Sequence, residues 1–132
     1  MSDDPYSPRV RSLFATTPHA GRLADGIAVA REEQGVRVRL SGTQHDGAIR
    51  SLRWLAWGCP HLLAACECTC ADYEGRPIAD LAKVKANDIM RKLSVPVEKT
   101  GRILVLEDAV RSLGDELSAE FASLEPTSTQ ER

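Results

Sequence analysis

The stretch AIRSLRWLAWGCPHLLAACECTCADYEG, Ala48 to Gly75, decides the fold. Its first part, to Trp57, reads as extended chain, and its second, from Pro60 to Glu74, reads as helix. Gly75 closes that helix as a typical C-terminal glycine. Gly58-Cys59 is the junction. A helix N-terminus carries partial positive charge and free N–H groups. A thiol placed there is pushed toward thiolate, the form that binds metal and attacks sulfur. Cys59 is therefore the first candidate for chemistry.

Upstream, Val36, Val38 and Leu40 alternate with Arg37 and Arg39, the pattern of a half-buried strand. Asp46-Gly47 is the strongest turn signal in the chain. It joins that strand to the next as an antiparallel hairpin, across a loop from Ser41 to Gly47. Gly26 to Arg31 is a further strand candidate. Ser7-Pro8 starts a helix, a capping hydroxyl followed by proline at the first helical position. Val10, Leu13 and Phe14 share one of its faces, and Pro18 and Gly21 end it.

Downstream, Pro77 opens a short helical segment with Ile78, Leu81 and Val84 inward. Asn87 caps another, carrying Ile89, Met90 and Leu93. Val95-Pro96-Val97 is extended, because proline disfavours helix before it. In the last helix Leu106, Val110, Leu113, Leu117, Phe121 and Leu124 repeat at three- and four-residue spacing. Asp108 falls in its first turn, where a carboxylate complements the helix dipole. Gly114 weakens it. The order is helix, a run of strands, then helices only. It predicts an α+β domain with a short antiparallel sheet covered on one face by helices. Residues 1–124 form a single domain in this reading, and residues 125–132 a polar, disordered tail.

A chain of 132 residues is large enough for one real core. A net charge of -2 gives no basic excess for nucleic acid. No apolar stretch is long enough to cross a membrane. The acidic start, Met1-Ser2-Asp3-Asp4, lacks the basic and apolar regions of a secretory signal. The expected compartment is the cytoplasm, where thiols stay reduced. No glycine-rich phosphate loop and no serine–histidine–acid arrangement stands out, so the chain reads as a non-enzyme.

Cys59, Cys66 and Cys70 are spaced by seven and four residues and share one helix stripe with Leu63, while Cys68 points the other way. Cys59 lies roughly 10 Å from Cys66, too far for one zinc at about 2.3 Å from each. Cys66, Cys68 and Cys70 read as small buried apolar residues. His61 is near enough to Cys59 to supply a nitrogen ligand or perturb the thiol, although an exposed first-turn histidine is the blander expectation. His19 and His45 lie in loop-like segments and read as solvated. Glu32 and Glu33 precede a strand and are weak candidates for oxygen ligands. Trp54 and Trp57 point to opposite sheet faces, one to the core and the other under a helix or at a partner surface.

Taken in order, these segments resemble the IscU/NifU N-terminal type of iron–sulfur cluster assembly scaffold. The similarity begins at Tyr6-Ser7 with Val10 and Phe14 and continues through Gly21-Arg22-Leu23. It is strongest from Trp57-Gly58-Cys59 to Glu74-Gly75-Arg76. It extends through Val95-Pro96 and Lys99 to Leu106-Glu107-Asp108-Ala109. The resemblance implies a two-layer α+β domain with a small three-stranded antiparallel sheet. It implies a protein that takes sulfur from a cysteine desulfurase, builds a transient iron–sulfur cluster and passes it to accepting proteins.

The family's site uses three cysteines and an aspartate, and this chain departs from it. Cys59 matches the second cysteine. The first would fall near Glu32 and Glu33, and the cysteine–glycine–aspartate motif is gone. The third falls at Arg102, and the histidine before it at Gly101. Only Pro96 and Lys99 survive of the segment that a specialised chaperone reads in some members. The expectation is metal binding or sulfur acceptance through Cys59, with Glu32, Glu33 and His61 as weaker ligands and Arg102 and Lys99 lining the site. Zinc is the alternative metal. A degenerate member that only binds or regulates the assembly machinery is the alternative function.

Overall fold

The computed structural model describes residues 6–124. Helix α1 spans Pro8–Ala15, and the Ser7 hydroxyl accepts from the Val10 N–H at 3.2 Å. Strands β1 (Ile27–Glu33), β2 (Val36–His45) and β3 (Ala48–Trp57) form an antiparallel sheet in the order β1-β2-β3. Helix α2 (Pro60–Tyr73) follows β3. A 3-10 turn (Ile78–Lys83) leads to α3 (Ala86–Leu93), and a second (Val97–Lys99) leads into α4 (Thr100–Leu124). The residues proposed as a C-terminal tail lie outside those described.

Both hairpin turns are two residues long. Glu33 pairs with Val36 around Gln34 (φ 55°) and Gly35 (φ 74°). His45 pairs with Ala48 around Asp46 (φ 59°) and Gly47 (φ 84°). Two positive φ values in succession are the mirror-image turn whose twist matches a hairpin. The expected long loop from Ser41 is therefore strand, and His45 sits exposed at the end of β2. A register shift at Thr43 and Gln44 leaves Arg50 as the extra residue on β3.

The helices cover one face of the sheet. Val36, Val38, Leu40, Leu52 and Trp54 turn inward to meet Leu62, Leu106, Leu113 and Leu117. Full burial of each such leucine stabilises the fold by about 1.5–3 kcal/mol. Trp54 is core, whereas Trp57 stands 76% exposed on the open face. At Gly114 a methyl group would lie 3.0 Å from Leu81 Cβ, so this glycine lets α4 approach the 3-10 turn closely. Three helix boundaries differ from expectation. The start of α3 is Ala86, whose N–H donates to Glu107 Oε1 at 2.7 Å, so Asn87 is not its cap. Val97 opens a 3-10 turn rather than continuing extended. The start of α4 is Thr100, which puts exposed Asp108 about two turns in, away from the positive end of the helix dipole.

His19 is not solvated. Its Nδ1 meets Glu67 Oε2 at 2.6 Å and its Nε2 meets Glu74 Oε1 at 3.1 Å. Glu67, 2% exposed, also accepts from the His19 N–H and from Trp54 Nε1, each at 3.0 Å. Glu74 accepts from the Leu52 N–H and Arg53, each at 2.8 Å. Burial opposes ionisation of Glu74, but these donors and His19 outweigh it and lower its pKa. The Gly21 N–H donates to the Trp54 carbonyl at 2.8 Å, so the segment after α1 is laced along β3. Replacement of Glu67 by alanine strands these donors. Urea unfolding should show Glu67→Ala destabilised by about 3 kcal/mol, the scale for breaking a buried charged network.

Candidate functional site

The chain passes from β3 to α2 through Gly58 alone before the helix cap at Cys59. A methyl group on Gly58 would lie 2.7 Å from Leu62 Cδ2 and 3.0 Å from Val36 Cγ1. Glycine is required there because both neighbours are core residues. Val36 follows the β1–β2 turn, so that turn lies beside the start of α2. Gln34, at the turn, lies over the first turn of α4: a methyl group on Gly101 would be 3.0 Å from Gln34 Oε1. Arg102, next along α4, is near enough to Cys59 to help lower its pKa. Three chain segments, 34–36, 58–62 and 101–102, therefore converge.

Cys59 is partly exposed at the cap of α2, with Pro60 at the first helical position. The sulfur closes no capping hydrogen bond of ordinary length. Partial burial raises the pKa of the thiol. The Leu62 N–H, the Arg102 guanidinium as donor, the His61 N–H and the Arg102 charge outweigh that burial, and the pKa falls below the ordinary thiol value.

His61 differs from the exposed histidine expected. It is 2% exposed, and its ring stacks at a tilt on Tyr6, with centroids 4.7 Å apart. Neither ring nitrogen has a hydrogen-bond partner. Burial lowers its pKa, the Lys99 charge lowers it further and Glu98 opposes them, so the neutral form is favoured. Lys99 thus stands close to His61, in the turn before α4.

The remaining candidates lie elsewhere. Glu32 is at the end of β1, paired with Arg37 at 3.1 Å, and both side chains are largely exposed. Glu33 is exposed and flanks the turn. Cys66, Cys68 and Cys70 are 0%, 3% and 2% exposed. Burial pushes the Cys66 and Cys70 thiols well up. It also raises Cys68, with Arg9 opposing and Asp72 adding to the rise. Among the described residues, no group of three or more His, Cys, Asp or Glu side chains is placed to hold a metal ion, so zinc finds no ligand set there. Sequence reasoning missed Gln34, for which the Gln34-Gly35 pair between two alternating runs was the available signal, and placed Tyr6 only at the start of the family similarity, not against His61.

The fold has clear relatives. A NifU-like protein (N-terminal) from Brucella abortus superposes with a TM-score of 0.69 over 86% of this chain and 94% of its own, at 14% identity. A protein described as a SUF-system cluster assembly scaffold from Fervidobacterium islandicum gives 0.67 over 81% and 94%, at 13% identity. The fold is thus that of NifU-like proteins. Among curated proteins, this sequence is 25% identical over 103 residues to iron sulfur cluster assembly protein 1, mitochondrial, of Kluyveromyces lactis. It is 29% identical over 83 residues to the iron-sulfur cluster assembly protein IscU of Plasmodium falciparum. Those matches cover 78% and 63% of this chain but only 56% and 51% of the relatives, about half their length. No family model matches.

Two outcomes follow from this geometry. Iodoacetamide should alkylate one thiol of the native protein quickly, Cys59, and reach Cys66 and Cys70 only after denaturation, as counted by peptide mass mapping. Reaction at Cys59 rises as pH rises through its lowered pKa. Arg102→Leu should move that midpoint upward by about one pH unit, because an adjacent opposite charge shifts a pKa by about 1–3 units.

Proposed function

We propose that this protein serves iron–sulfur cluster assembly as a sulfur acceptor, carrying sulfur on Cys59 rather than holding a finished cluster. The observation that carries this reading is the partly exposed Cys59 at the cap of α2, whose pKa Arg102 helps to lower. The names of its relatives support the pathway. A binuclear cluster is held mainly by several thiolates. Here the described residues bring one accessible thiol to the site. Arginine stays protonated and offers no lone pair to a metal. Its charge instead favours an anionic sulfur.

The chemistry balances without an added oxidant. The Cys59 thiolate attacks the terminal sulfur of a persulfide on a donor cysteine desulfurase. The donor's S–S bond breaks, a new S–S bond forms on Cys59, and the donor cysteine leaves as thiolate. The transferred sulfur keeps its proton until it ionises to solvent. The persulfide anion then stands where Arg102 offsets its charge. Glu32, Glu33 and His61 would be spectators to this step. A carrier of this kind works in a reducing compartment such as the cytoplasm, and among the described residues no helix is long and apolar enough to cross a membrane.

Mass spectrometry after anaerobic incubation with a cysteine desulfurase and cysteine tests this. The wild type should gain a single sulfur on Cys59, Cys59→Ala should gain none, and Arg102→Leu should load about tenfold more slowly, the cost of about 1.4 kcal/mol in the barrier. Iron and sulfide retained together after desalting would overturn the carrier reading in favour of cluster holding. Desulfurase binding without sulfur gain would reduce the protein to a binding partner.

A further inference from the structure

The open face of the sheet bears Arg37 and Arg39 on β2 and Leu55 and Trp57 on β3, with Arg22 beside them. Trp57 lies directly across from Arg37 in the strand register. Two hollows, of about 490 and 510 Å3, meet at Glu32, Arg37 and Trp57. Glu32 is the carboxylate in this patch, and it is already paired with Arg37. Arg22 and Arg39 form no ion pair among the described residues. The Arg39 Nε is buried and has no acceptor among the described residues.

Arg22 and Arg39 leave positive charge on this face without a carboxylate among the described residues, and an incoming anion would pair with it. A tryptophan 76% exposed beside it exposes a large apolar surface to water. Exposed tryptophan flanked by arginine is the composition of a binding hot spot. A nearly flat strand face suits a macromolecular partner, and its charge selects the sign of that partner. Clustered arginines read carboxylates in bidentate fashion. We infer that this face docks a carboxylate-rich segment of another protein, with Trp57 as apolar anchor and Arg22, Arg37 and Arg39 as its carboxylate contacts. The inference stands apart from what Cys59 carries.

A fluorescein-labelled peptide alternating glutamate with leucine serves as the probe, followed by anisotropy. It should bind the wild type, weaken as salt rises, and lose most affinity when glutamine replaces glutamate. Trp57→Ala and Arg39→Gln should each weaken it at least about tenfold, the loss expected of a hot-spot residue. Both variants should retain the native unfolding midpoint and wild-type alkylation of Cys59. Absence of binding, or binding equal in the glutamine peptide or in either folded variant, would overturn the inference. A variant that fails to fold is replaced by Arg22→Gln, at an exposed position, read in the same way.

Discussion

Residue 58 has room for a hydrogen atom and little else. Leu62 and Val36 close on its Cα from two sides, and both are 3% exposed or less. β3 runs into α2 through this residue, with Cys59 next as the helix cap. That fixes the direction in which α2 leaves the sheet and sets Cys59 at its cap. It also brings the β1–β2 turn against the start of α2, through Val36. A larger residue at 58 would have to displace Leu62 Cδ2 and Val36 Cγ1, both in the core.

The far half of α2 is held by charge rather than by shape. Glu67 sits about two turns beyond Cys59, facing the Trp54 indole and His19. Its acceptors are well used, so a carboxylate with almost no exposure is tolerated there. His61 shows the opposite arrangement. Its ring is buried as deeply, yet both nitrogens lack partners. Burial and Lys99 favour its neutral form, so it adds no charge beside the sulfur. Arg102 is then the cation that acts on Cys59. One end of α2 is thus neutralised internally, while the other keeps an ionisable group facing outward.

Local signals were legible and distant partners were not. Alternation over Val36 to Leu40, the Ser7-Pro8 start and the Pro60 start each announced an element that formed. The strand beyond Leu40 was hidden, because Ser41, Thr43 and Gln44 are polar and carry no apolar alternation. The first turn of α4 was hidden as well, since Thr100-Gly101 combines a modest helix former with the poorest one short of proline. His19 was misread because its carboxylate partners lie 48 and 55 residues away, on α2 and at its C-cap. Nothing near His19 in sequence reports them. The burial of His61 depends in the same way on Tyr6, which reaches it from before α1.

The charge beside Cys59 follows from the groups that act on it, with Arg102 the cation among them. A pocket with several thiolates is strongly anionic and needs metal cations to offset it. One thiolate facing one guanidinium is already close to neutral. A metal ion entering such a pocket meets a fixed positive charge and a single sulfur donor. An incoming sulfane sulfur meets neither obstacle, since its transfer leaves the number of negative charges unchanged. A cation beside Cys59 therefore stabilises the thiolate there.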